Sequence, residues 1–373
     1  MITIECKVYG SVQQFSRVDE AIRTVQFIRN KCLRLWMDHQ DSETGIGRNE
    51  LARHTAELAQ SYGFVRHLNS SARQASAERT WTAISRFYQS RKANSPIRYP
   101  RFQKDNRSME YRKSGWKLEA RHSRITFTDG CGIGTLRLRG GHNLTLLQPD
   151  YINRVRLLRR ADGYYLQLLV KRDAPQPLPP AHRQVGLDVG LRHFLVDSEG
   201  QAVANPRHHK RSLDRLKRKQ RQLARMKKGS QNRKKAAQKL SRLYLKTSRQ
   251  RKDFVVKTAR CVVKSNDLIA VEQLQVRNLL KNHRLARSIQ DVGWRQFMQW
   301  LSYFARKMGR TMVFVPAKHT TSLCSGCGAL VPKSLRERVH RCSCGLVMDR
   351  DHNAARNILK FALHTVGHTE IQA

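Results

Sequence analysis

The chain opens on alternation. Ile2, Ile4, Cys6 and Val8 are apolar and Thr3, Glu5 and Lys7 between them are polar, a period of two that predicts a strand with one buried face. From Asp19 the period lengthens. Ala21, Ile22, Val25, Ile28, Cys32, Leu33, Leu35 and Trp36 follow helical spacing, with Asp19 as the expected N-cap. A second helix is expected from Ser71 to Gln89, with Trp81, Ile84, Phe87 and Tyr88 on one side, read as core rather than as base-stacking groups. Ser95-Pro96 and Tyr99-Pro100 end that region, because the residue before a proline leaves helical space. Over 116–172 the pattern is β again. Ile125 and Phe127 alternate, as do Leu136 and Leu138, and 154–160 and 164–172 read as a hairpin turned at Asp162-Gly163. The first strand could join this sheet, with the helices inserted between.

Residues 173–183 hold Pro175, Pro177, Pro179 and Pro180, a stiff linker and the clearest domain boundary. Beyond it, 207–252 carries 20 Lys and Arg against one acid, Asp214. Leu213, Leu216, Leu223 and Met226, then Leu240, Leu243 and Tyr244, recur at helical spacing on either side of Gly229-Ser230. A basic helical hairpin is expected. Its charge is nearly all of one sign, so i,i+4 ion pairs cannot hold it and phosphate is the natural counter-charge. The whole chain repeats the imbalance: in 373 residues, 72 Lys and Arg stand against 28 Asp and Glu, a formal +44. Such a protein repels itself unless a polyanion neutralises it, and nucleic acid is the first candidate. No apolar run is long enough to span a membrane, and no export signal precedes the first strand. The expected location is therefore cytoplasmic and reducing, which argues against a disulfide framework for the eight cysteines.

Acids sit at the edges of three apolar elements. Asp188 lies between Leu187 and Val189 in an apolar strand, with Gly186 and Gly190 leaving room beside it. Glu272 ends the short apolar strand of 266–274, and Asp349 and Asp351 fall in the first turn of a helix whose face is Ala354, Ala355, Ile358 and Leu359. A carboxylate in an apolar strand is costly unless paired or bound to metal. In-line hydrolysis of a phosphodiester needs an activated water and a stabilised leaving oxygen. Two hard cations about 4 Å apart do both, with carboxylates as ligands.

Cys324, Cys327, Cys342 and Cys344 cluster in a CxxC…CxC pattern that suggests one structural tetrahedral Zn²⁺ site. The second pair is one residue short of the usual spacing, and His340 could replace a ligand. Cys6, Cys32, Cys131 and Cys261 stand singly and are expected in the core.

The segments GLDVGLRHFLV, IAVEQL and CSGCG…CSCGLVMDRDHNAARNIL, in that order, resemble the three RuvC-type segments and zinc ribbon of the TnpB family, insertion-sequence-encoded RNA-guided DNA endonucleases ancestral to type V CRISPR effectors. SIQDVGW (288–294) and YPRF (99–102) also resemble family segments, and the clear likeness covers about 184–360. The resemblance implies an α/β multidomain fold: an RNase H-like (RuvC-type) nuclease domain with a zinc-ribbon insertion, preceded by a β-barrel wedge domain carrying a helical recognition insertion. On this chain those are 1–10 and 116–172 (wedge), 11–115 (recognition), 184–320 and 346–373 (nuclease) and 321–345 (ribbon). It implies Asp188, Glu272 and Asp351 as catalytic ligands of two Mg²⁺, with Asp351 chosen over Asp349 because it is the acid of the D-x-N-A-A segment.

It implies as partners a guide RNA and a double-stranded DNA target bearing a short flanking motif, and the chain is expected to act as a monomer on one RNA. Candidate nucleic-acid contacts are Arg73, Gln74 and Ser76 for the flanking duplex, and Lys217, Arg218, Lys219, Arg221, Lys227 and Lys228 in the hairpin. The competing readings are a nuclease-inactive RNA-guided repressor and a guide-independent junction resolvase or transposase.

Overall fold

The computed structural model describes the chain except residues 40–44, 93–98, 120, 122, 141–143, 172–175, 335 and 371–373. The Ser95-Pro96 breaker and the linker's Pro175 lie outside the described residues. The chain divides into two compact units, Met1–Asp173 and Ala174–Ala373, at the start of the Pro-rich segment.

The first unit runs β1 (Ile2–Tyr9), α1 (Val12–Asp38), α2 (Arg48–Ser61), α3 (Gly63–Arg66), α4 (Ser70–Lys92), β2 (Ser108–Tyr111), β3 (Trp116–Glu119), β4 (Arg124–Phe127), β5 (Gly134–Arg139), β6 (Ile152–Arg160) and β7 (Gly163–Val170). Its sheet has the order β2-β6-β7-β1-β5-β4-β3. The first strand does join the later ones, antiparallel to β7 and β5. Three expectations are corrected. The sheet is not a closed barrel, since β2 and β3 are its two ends. Strand β2 lies within the stretch assigned to the helices but pairs with β6. Helix α1 starts at Val12, where Ser11 Oγ accepts from Gln14 N and the Gln14 side chain accepts from Ser11 N, a capping box. Asp19 is an interior residue whose carboxylate pairs with Arg159 at 3.1 Å.

The second unit runs β8 (Gln184–Asp188), β9 (His193–Asp197), β10 (Ala202–Ala204), α5 (His208–Ala224), α6 (Gln231–Ser265), β11 (Leu268–Glu272), α7 (Val276–Leu279), α8 (Ala286–Val292), α9 (Trp294–Met308), β12 (Thr311–Val315), β13 (Val339–Arg341), β14 (Val347–Asp349) and α10 (Arg350–Glu370). Its main sheet has the order β10-β9-β8-β11-β12. Strands β8, β11 and β12 are parallel, and β9 and β10 are antiparallel additions. One core joins Leu187, Ile269 and Val271 to Val255 and Ala259 of α6 and to Phe297 and Leu301 of α9. Another joins Leu268 and Ala270 to Ile358 and Ala362 of α10. The sheet is therefore covered on both faces, as parallel strands require.

The expected basic hairpin is α5 and α6, but α6 runs past residue 252 to Ser265. Its polar first part pairs with α5 and its apolar last part packs on the sheet. Among the described residues no helix is long and apolar enough to cross a membrane.

Candidate active site and zinc centre

Register places the acids. Leu187 of β8 pairs with Val271 of β11 in parallel, so the next residues, Asp188 and Glu272, leave adjacent strand ends side by side. Gly186 and Asp188 share one face of β8, because side chains alternate. That face meets α10: a Cβ at Gly186 would land on the Ala355 carbonyl oxygen and lie 2.7 Å from Leu359 N. Only glycine admits the helix so close. Asp351 precedes Ala355 by four residues on α10, so it projects from the same helix face, above the strand ends. Asp349 instead caps the helix, its Oδ1 accepting from Asp351 N at 2.8 Å and His352 N at 3.4 Å.

The electrostatics follow from this convergence. Burial, then the Glu272 and Asp351 charges, push the Asp188 carboxyl up to about 8, while Arg350 pulls the other way. Burial also raises Glu272, opposed by the hydroxyl of Thr320, which donates to Glu272 Oε1. A buried carboxyl raised by neighbouring charges, as Asp188 is, ionises at neutral pH when a cation offsets them. A hard oxygen-donor set of this kind suits Mg²⁺ or Mn²⁺. Beside Glu272 opens a cavity of about 530 Å³, lined among others by Trp294, Met298, Phe314, Arg277 and Arg295. Apolar walls and two cations beside a carboxylate could hold a nucleotide.

The four cysteine sulfurs Cys324, Cys327, Cys342 and Cys344 all lie within 4.8 Å of one another. Cys324 and Cys344 are 3.7 Å apart, and Cys327 and Cys342 3.5 Å. Tetrahedral zinc with Zn–S bonds of about 2.3 Å sets sulfur pairs about 3.8 Å apart, so the donor set fits. The short second spacing is absorbed by a turn at Gly345, whose φ is +88° and whose N–H reaches Cys342 O at 3.0 Å. The Cys344 backbone N–H helps draw the Cys342 thiol down to about 6. His340 is fully buried outside this donor set and need not replace a thiol. Of the single cysteines, Cys6 and Cys32 are buried, whereas Cys131 is half-buried and Cys261 exposed, against expectation.

Among the expected nucleic-acid contacts, Lys217, Arg218, Arg221, Lys227 and Lys228 are exposed and Lys219 half-buried. Arg73 is half-buried and Gln74 exposed. Ser76 is corrected: it is 1% exposed and its hydroxyl donates to Val25 O at 2.8 Å, locking α4 to α1. It cannot reach a base. Sequence reasoning missed Thr320, Asn353 and Asn357. The one available signal was a pair of asparagines spaced i,i+4 along the apolar face of α10.

Comparison with known proteins agrees with this architecture. The family described as "Probable transposase" (OrfB_IS605) matches residues 167–283, and the "Cas12f1-like, TNB domain" matches 294–358. A Streptomyces pristinaespiralis protein named "Putative RNA-guided DNA endonuclease" is 32% identical over 368 residues, covering 95% of this chain and 88% of that protein. InsQ of Escherichia coli (strain K12), which carries the same designation, is 28% identical over 295 residues, covering 74% of this chain and 70% of its own. Among solved structures, the Cas12f1 chain of a Cas12f1–sgRNA–target DNA complex shares the fold, with a TM-score of 0.58 at 13% identity over 94% of this chain and 83% of that one. The chain belongs to the TnpB family.

Proposed function

We propose that the chain is an RNA-guided DNA endonuclease that hydrolyses target DNA beside a short flanking motif, with Asp188, Glu272 and Asp351 holding two divalent cations. The observation that carries this reading is the register that leaves Asp188 and Glu272 on adjacent strand ends, with the Glu272 and Asp351 charges both acting on the Asp188 carboxyl. The strand order of the second unit, three antiparallel strands continued by two parallel ones, supports an RNase H-like domain of RuvC type. When bound, the cations would supply the charge that activates water and stabilises the leaving oxygen. The chain's part is to hold the carboxylates in register and present Arg350 near the site.

The excess of +44 and the exposed face of α5 support a guide RNA held through its phosphates. Base pairing would then supply sequence choice, and the protein would read only the flanking motif. Zinc in the ribbon is structural in this account.

The test is the RNA that copurifies with the chain. Sequencing it, then supplying DNA matched to its guide, is expected to give Mg²⁺-dependent cleavage that RNase pretreatment abolishes. Binding without cleavage would favour a repressor. Cleavage without RNA would favour a resolvase or transposase.

A further inference from the structure

Glu272 is not held by its strand alone. Its Oε1 accepts from the hydroxyl of Thr320, which is 1% exposed. The Thr320 carbonyl accepts in turn from Asn357 Nδ2 at 2.9 Å. The same Nδ2 donates to Leu323 O at 2.7 Å, and Asn353 Nδ2 reaches that oxygen at 2.8 Å. Asn353 Oδ1 accepts from the backbone N–H of Ser325 at 2.9 Å. Ser325 lies inside the first zinc knuckle, next to Cys324, which is 1% exposed.

Both asparagines are buried, Asn353 at 0% and Asn357 at 2% exposed. An amide group that serves two carbonyl oxygens must present its NH₂ end, and a buried one cannot exchange those partners for water. Asn353 and Asn357 stand on α10, the helix that carries Asp351. One helix therefore supplies the third acid and grips the segment that both orients the second acid and leads into the zinc knuckle.

We infer that Thr320 is a positioning residue for Glu272, and that Asn353 and Asn357 tie it to the zinc-bound knuckle, so that an occupied ribbon sets the divalent-cation affinity of the acids. This rests on the nuclease reading above. The ionised carboxylate accepts only, so Thr320 must donate to it, fixing which Glu272 oxygen stays free for a cation. A buried hydroxyl–carboxylate bond is of the stronger, charge-assisted kind, and its loss corresponds to a change of about tenfold or more in cation affinity.

The experiment uses the full RNA-loaded chain as wild type, Thr320→Ser, Thr320→Val and Thr320→Ala. It reads the Mg²⁺ concentration for half-maximal cleavage, the Mg²⁺-dependent rise in melting temperature, target affinity and zinc content. The Val and Ala variants are expected to need about tenfold more Mg²⁺ by both cation readouts, with target affinity and zinc content unchanged. Thr320→Ser is expected to restore the wild-type midpoint, which a loss of packing alone would not allow. Zinc-stripped wild type is expected to shift in the same direction, and stripping is expected to add less in Thr320→Val, as two steps of one linkage.

An unshifted midpoint in both Val and Ala variants would overturn the positioning role. An unshifted midpoint in zinc-stripped wild type would overturn the tie to the ribbon. If wild type does not cleave at all, it is the nuclease reading that fails.

Discussion

Replacing Gly186 by alanine adds one methyl group where strand and helix touch. Its Cβ would sit on the Ala355 carbonyl oxygen, 2.7 Å from Leu359 N and 2.9 Å from Leu359 Cβ. Carbon contacts settle at about 3.5–4.0 Å, so α10 must back away from β8 by about 1 Å. Two of the three neighbours are backbone, and no rotamer change relieves the clash. Overpacking of this sort costs about 1–3 kcal/mol. The displacement falls on the proposed catalytic acids, because Asp188 lies two residues along β8 and Asp351 one turn earlier on α10. A shift of about 1 Å in a reacting group costs about a hundredfold in rate.

Gly186→Ala is therefore expected to cut matched DNA at least about a hundredfold more slowly while the RNA-loaded complex still binds its target. Gly190→Ala is the control, since its Cβ would meet only His193 O, at 3.2 Å. The assay is single-turnover cleavage of labelled target alongside target affinity and thermal melting. Wild-type cleavage by Gly186→Ala, or loss only in proportion to unfolding, would show that the strand–helix contact does not set the position of the acids.

Other consequences are as direct. The Asp188 carboxyl, raised to about 8 without cations, keeps a proton that the unfolded chain gives up near pH 4. Its contribution to cation-free stability therefore falls as pH rises from about 4 to 8. Melting from pH 5.5 to 8.5 is expected to show this decline in wild type beyond that in Asp188→Asn, and saturating Mg²⁺ is expected to remove it; identical slopes would contradict the coupling. Cys342→Ser is expected to lose the single bound zinc and lower the melting temperature, checked by elemental analysis against one zinc per wild-type chain. Neutralising Lys217, Arg218, Lys219 and Arg221 with glutamine is expected to weaken RNA binding and make its log-affinity against log-salt plot shallower by about 3 if all four sit on phosphates; an unchanged slope would remove α5 from the RNA interface.

How far the sequence discloses this site depends on the range of each interaction. Asp188 and Glu272 are legible because a carboxylate ending an apolar strand is a local anomaly. The four thiols are legible because their spacing is local too. Thr320 is not, since its meaning lies in a partner 48 residues away. The α1 start was readable as the Ser11–Gln14 box, but the first turns of the helix carry little apolar pattern and the period becomes clear only from Ala21. Ser76 looks like a base-reading neighbour of Gln74 in sequence, yet half a turn of helix separates a solvent face from one packed on α1. The barrel is what the family resemblance implies, and alternation, which counts strands without saying whether the end strands meet, has no means to correct it to an open sheet.

In the proposed mechanism Asp188, Glu272 and Asp351 act as one cation-binding unit on a scissile phosphate. The most direct measurement is cleavage of guide-matched DNA by RNA-loaded Asp188→Asn, Glu272→Gln and Asp351→Asn, with target binding recorded in parallel. Each isosteric change is expected to abolish cleavage and leave binding intact. Cleavage at the wild-type rate by any of the three would contradict it.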